Sequence, residues 1–98
     1  MLKIAQYVER VGALLEELDA LADECDGEGT EALDDLNAEL EDALMLLSEV
    51  REDSDDAGEE LADALEEFSA LAGDYRNLSN RIPGLEALAD RLSKLCAE

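Results

Sequence analysis

The chain has 98 residues, of which 28 are acidic and 7 are basic, with no histidine and a net charge of −21. This length suits one domain, and a 47% share of apolar residues is too high for a chain that is disordered by composition. The strong negative charge disfavours nucleic acid and anionic membranes as direct partners and favours a basic protein surface.

The first predicted helix covers residues 2–24, where apolar side chains recur three or four positions apart from Ile4 to Cys25. A glycine-containing acidic break at residues 26–29 ends that pattern. A second helix is predicted at 31–51, with Thr30 suited to the N-cap position because its hydroxyl can accept a hydrogen bond from the first turn.

A third helix is predicted at 56–80, after a polar run in which Asp56 and Glu59 have the spacing of a capping box. The fourth covers 83–97, with Pro83 suited to its first turn. Short connections favour antiparallel neighbours, so the sequence predicts an all-α fold. We expect a compact antiparallel bundle of four helices, three long and one short, in a single domain of residues 1–98. Cys25 and Cys96 are then too far apart for a disulfide, so we expect both to stay reduced.

The residue types in the chain argue against catalysis. Without histidine the commonest general base and metal ligand is missing, together with the usual nucleophilic triads. Two separated cysteines do not suggest a zinc site, and the acids recur at outward-facing helical positions instead of in a cleft. We therefore expect no enzyme activity, no cofactor and no metal site.

Residues 24–35 resemble the twelve-residue calcium loop of EF-hand proteins. Acids occupy loop positions 1, 3 and 5, Gly29 occupies position 6 and Asp35 occupies position 12. The loop departs from the pattern at position 1, which is Glu24, at position 8, which is Glu31, and at position 12, where aspartate is shorter than the usual glutamate. A degenerate calcium site is therefore a minor alternative.

The negative charge is concentrated in residues 16–67, which hold 23 acids and one base, Arg51. Carboxylates three or four residues apart on a helix lie about 5–6 Å from one another, similar to successive phosphates of a nucleic-acid strand. In an antiparallel bundle these acids would form one anionic face along the second helix. The residues predicted to bind a partner there are Asp34, Asp35, Glu39, Glu41, Asp42, Glu59, Glu60 and Asp63.

This pattern favours a nucleic-acid mimic that blocks a basic nucleic-acid-binding protein. In size and charge the chain resembles small phage inhibitors of host defence, including some anti-CRISPR proteins, although the resemblance covers no motif. It implies a protein partner, with no direct contact to nucleic acid or membrane. Without an apolar stretch of ~20 residues or a signal-peptide run, we expect a cytoplasmic location.

Two other interpretations stay open. The acids can be a solvated surface, as in highly soluble proteins or in organisms with a salty cytoplasm. The chain can also be a helical adaptor, chaperone or assembly subunit that pairs through apolar surface, a homodimer included. Met45 and Leu46 favour this second alternative, because they lie outside the main apolar stripe of their helix.

Overall fold

Four helices form the protein in a computed structural model that describes residues 3–25 and 29–97. They are α1 (Ile4–Glu24), α2 (Thr30–Ser48), α3 (Ala57–Leu78) and α4 (Leu85–Ala97). The prediction of an antiparallel all-α bundle with three long helices and one short one is confirmed. Each helix packs against the next, and α4 returns to α1, so that α2 and α4 occupy opposite corners of the bundle.

Each helix is held in place by the apolar stripe that its sequence spacing predicts. Small alanines and branched leucines from all four helices interdigitate around three aromatic rings, which are fully buried. Burying one leucine or phenylalanine side chain contributes about 1.5–3 kcal/mol, so these stripes dominate the stability of a domain this small. The rings belong to Tyr7, Phe68 and Tyr75.

A buried polar contact joins the three long helices and was not predicted. Asn37, on α2, is only 4% exposed. Its side-chain oxygen accepts a hydrogen bond from the hydroxyl of Tyr75 on α3 (2.8 Å), and its amide donates to Asp19 on α1 (3.3 Å). Burial raises the pKa of the Tyr75 hydroxyl well above its usual range, and the nearby Asp19 and Glu39 carboxylates raise it further. Tyr75 is therefore a neutral donor at physiological pH.

The start of α2 differs from the prediction. Gly29 is the N-cap, with a φ of 97°, and Thr30 is the first helical residue. The Thr30 hydroxyl donates a hydrogen bond backwards to the carbonyl oxygen of Cys25 (3.3 Å) and does not cap the first turn of α2. The assignment of Thr30 as N-cap is therefore wrong. Gly29 occupies that position instead, because glycine adopts this left-handed backbone conformation without a steric cost.

The starts of α3 and α4 also correct the sequence analysis. Asp56 is the N-cap of α3, but its side chain makes no capping hydrogen bond, so the predicted capping box with Glu59 is wrong. The reason is that Asp56 has helical backbone angles, whereas a capping residue is normally extended. Pro83 lies in the turn before α4, which begins at Leu85 after Gly84, whose φ is 88°.

The connection between α2 and α3 contributes to the start of α1. A carboxylate oxygen of Glu52 accepts a hydrogen bond from the backbone N–H of Ala5 (3.1 Å), one of the first-turn donors that have no partner within the helix. Its negative charge also lies at the positive end of the α1 dipole. The loop is thereby attached to a helix 47 residues away in sequence.

We predict that Tyr75→Phe lowers the free energy of unfolding by about 1–3 kcal/mol, because it leaves the buried oxygen of Asn37 without a donor. Urea unfolding followed by circular dichroism measures the change. The double variant Tyr75→Phe/Asn37→Leu removes both partners and should recover most of the loss. A double variant no more stable than the single one would contradict this account.

We predict that Glu52→Ala destabilises the fold by about 0.5–1 kcal/mol, because α1 loses a capping carboxylate. Asp55→Ala is the matched control, since it removes the same charge from the same exposed loop. Relief of charge repulsion is common to both variants, so the difference between their urea midpoints isolates the cap. Equal midpoints would show that the Glu52 contact contributes nothing.

Candidate acidic interface

The outer surface of α2 consists mainly of carboxylates. The helix contains six acidic residues and no basic one, and all six side chains are exposed. They lie opposite the buried stripe of Leu33, Leu40 and Leu47, on an exposed side that also carries Ala38, Met45 and Leu46. The six are Glu31, Asp34, Asp35, Glu39, Glu41 and Asp42.

The acidic surface continues from α2 onto α3 across a groove between the two helices. This α2–α3 groove encloses about 320 Å³ and is lined by the C-terminal part of α2, by residues 49–50 just after it, and by the N-terminal half of α3. Its apolar lining residues are Ala43, Leu46, Leu47, Val50 and Ala64, and its acidic ones are Glu49, Glu60, Asp63 and Glu67.

On its other side α2 packs against α1, and acids of α1 lie next to it. Gly12 of α1 faces the Leu44 side chain, so the two helices approach closely at that level. Asp19, about two turns further along α1, accepts the hydrogen bond from Asn37. Because α1 and α2 run antiparallel, the second half of α1 lies beside the first half of α2 and brings Asp19 next to it, whereas Glu17 pairs with Arg91 of α4. The α1 acids therefore adjoin the opposite end of α2 from the α3 acids.

Several basic residues lie on the side of the bundle away from α2. Arg10, Arg91 and Lys94 line a shallow depression between α1 and α4. Arg91 forms an ion pair with Glu17 of α1. Arg76 of α3 forms an ion pair with Asp90 of α4. These two ion pairs direct Arg76 and Arg91 toward acids around α4 and away from the outer surface of α2.

Two basic residues lie nearer to the acidic helix. Arg51, just beyond α2, forms an exposed ion pair with Asp53 at 3.5 Å. Arg81 lines a second depression between α2 and α3, together with Asp35 and Asp74. Within the described residues, every charged side chain that lines the α2–α3 groove is acidic.

All eight residues predicted to bind a partner are exposed, but they do not form one cluster. Glu60 and Asp63 line the α2–α3 groove, whereas Asp35 lines the depression near Arg81. Glu39 lies near Tyr75. Glu59 is exposed beside the first turn of α3 but does not line the groove. The remaining predicted residues, Asp34, Glu41 and Asp42, lie on the outer surface of α2.

The sequence analysis left two groove carboxylates out of the predicted site. Glu67 follows Glu60 and Asp63 at intervals that keep all three on one side of α3, and this spacing could have identified it. Glu49 follows the last turn of α2, where the direction of its side chain depends on how the helix ends. Both line the α2–α3 groove.

Other candidate sites in the sequence are less well defined. The calcium-loop resemblance at residues 24–35 includes residues 26–28, which lie outside the described part of the chain. No group of three or more metal-binding side chains comes together within residues 3–25 and 29–97.

Cys25 and Cys96 are free thiols, as predicted, and burial raises the pKa of the Cys96 thiol. In the same described ranges, no helix has the length and apolar character needed to cross a membrane.

Comparison with known proteins gives no match, whether by protein-family profile, by sequence against curated proteins or by fold against solved structures. The geometry and chemistry of the acidic surface are therefore the basis on which a function can be proposed.

Proposed function

We propose that this chain is a non-enzymatic binding protein that mimics nucleic acid and occupies the basic groove of a nucleic-acid-binding protein. The observation that carries the proposal is the exposed surface of α2, which presents six carboxylates and no base on a rigid helix. From Glu31 to Asp42 these carboxylates span roughly 17 Å at 1.5 Å per residue, about half of the roughly 34 Å turn of duplex DNA.

The placement of the bases supports this proposal over a plainly hydrophilic exterior. A protein acidified for solubility alone has no need to separate its charges. Here Arg76 and Arg91 form ion pairs around α4, at the corner of the bundle opposite α2. A basic groove would therefore meet one strongly negative side, and electrostatic steering would accelerate the encounter at low salt.

The same features support a role without catalysis. The chain has no histidine, and every described carboxylate is exposed except the partly exposed Asp90, which pairs with Arg76. General acid–base catalysis by two carboxylates requires environments that separate their pKa values, and an exposed surface does not provide them. The proposed activity is thus the exclusion of nucleic acid from a partner.

A second candidate function is that of a helical adaptor, chaperone or assembly subunit that binds through apolar surface. It is favoured by the exposure of Met45 and Leu46, which are 55% and 65% accessible on an otherwise polar surface. Salt distinguishes the two functions, because an apolar complex survives high salt whereas a charge-driven complex dissociates.

We predict that neutralising four α2 carboxylates, with Asp34→Asn, Asp35→Asn, Glu41→Gln and Asp42→Asn, weakens partner binding by roughly 1–4 kcal/mol, at least about fivefold. The assay captures proteins from a cell lysate on the immobilised chain and elutes them with stepwise salt or with duplex DNA. Basic nucleic-acid-binding proteins should be retained and then displaced by both eluents.

The matched control neutralises four carboxylates outside α2, its groove and the α1 acids beside it, with Glu9→Gln, Asp55→Asn, Glu66→Gln and Glu86→Gln. Both variants lose the same net charge, and all eight side chains are exposed. Only the α2 variant should lose the retained proteins. If both variants behave alike, or if DNA displaces nothing, nucleic-acid mimicry by α2 is wrong.

A further inference from the structure

We propose that the α2–α3 groove binds a basic amphipathic helix of the partner protein, with an apolar side chain of that helix packed against Leu46. The inference rests on the proposed function and deepens it, because it assigns the partner a specific recognition element. A pure phosphate mimic needs carboxylates alone. This groove combines carboxylates with an apolar floor.

The groove extends along about one and a half turns of helix. Its floor follows the end of α2 from Ala43 to Leu47, roughly 6 Å along the helix axis, and continues to Val50 just beyond it. Antiparallel helices form its two walls, so an added helix would pack as a further member of the bundle. Recognition of this kind uses apolar anchors that recur every three or four residues on one face of the bound helix.

Leu46 identifies the anchoring point. It is 65% exposed and lines the groove, whereas the adjacent Leu47 is buried in the core. An exposed leucine at the edge of an apolar floor gains contacts when another apolar side chain covers it. Met45 is similarly exposed, at 55%, but it does not line the groove.

Charge complementarity determines the kind of helix that fits. Glu49, Glu60, Asp63 and Glu67 surround the apolar floor, and no basic side chain among the described residues lines the groove. Lysine or arginine residues on either side of the apolar anchor would therefore meet carboxylates. A symmetric pairing of two copies through this groove is disfavoured, because the α2 of the second copy has no base to offer and would bring the same negative charges together.

Two synthetic peptides of about 14 residues test the inference directly. Both carry the same lysines on a helical polar face, but one has leucines on the opposite face and the other has glutamines there. Fluorescence anisotropy at low salt measures their affinities for the chain and its variants. We expect Leu46→Ala to lower the affinity for the leucine peptide about fivefold or more and to leave the affinity for the glutamine peptide unchanged.

Met45→Ala is the matched control, and it should change neither affinity, because Met45 is similarly exposed but lies outside the groove. The charge around the groove is tested with Glu60→Gln/Asp63→Asn/Glu67→Gln against the control triple Glu9→Gln/Glu66→Gln/Glu86→Gln, whose exposed side chains lie outside α2, the groove and the α1 acids beside α2. Only the groove triple should lower the affinity of the chain for both peptides.

The outcomes separate this inference from the proposed function. If both peptides bind equally, and Leu46→Ala has no more effect than Met45→Ala, the apolar anchor is wrong while a charge-driven interface stands. If the groove triple and the control triple have equal effects, the acidic interface itself is wrong. Sedimentation as a dimer that Leu46→Ala dissociates would assign the groove to a second copy and overturn the inference.

Discussion

The structure depends on the burial of one face of α2 between α1 and α3, because this burial opposes the mutual repulsion of the acids on the other face. Like charges three or four residues apart on a helix destabilise it by about 0.2–0.5 kcal/mol per pair, so the pairs along α2 cost roughly 1–2 kcal/mol. Each of the buried leucines Leu33, Leu40 and Leu47 contributes about 1.5–3 kcal/mol. Apolar burial therefore exceeds the repulsion within the helix, and α2 can carry its charge without a base.

The ring arrangement of the helices turns this charged helix into a one-sided surface. With α2 and α4 at opposite corners, Arg76 and Arg91 reach acids next to α4 and not the outer surface of α2. The α1 acids adjoin one end of α2, and the α3 acids adjoin the other end. The resulting surface crosses the bundle obliquely, and the α2–α3 groove lies at its α3 end. At that end an exposed leucine adds an apolar contact to an otherwise electrostatic surface.

Helical periodicity in the sequence was sufficient to predict the four helices, their antiparallel packing and the free thiols, because apolar burial decides those features. Helix ends were harder to predict. At Gly29 and Asp56 the backbone conformation decides which group caps the helix, and that conformation depends on how the loops pack. Asn37 was also missed, since a single polar residue in an apolar stripe is buried only where a partner such as Tyr75 reaches it. The groove could not be predicted, because it depends on the distance between α2 and α3.

The most direct test of the central claim is a residue-by-residue measurement of electrostatic potential in solution. Paramagnetic relaxation of amide protons by a cationic and by an anionic nitroxide, compared at each residue, provides that potential by NMR. We expect the most negative values along α2 and at the α2–α3 groove, and values near neutral at the depression formed by Arg10, Arg91 and Lys94. A potential that is equally negative around all four helices would contradict the account.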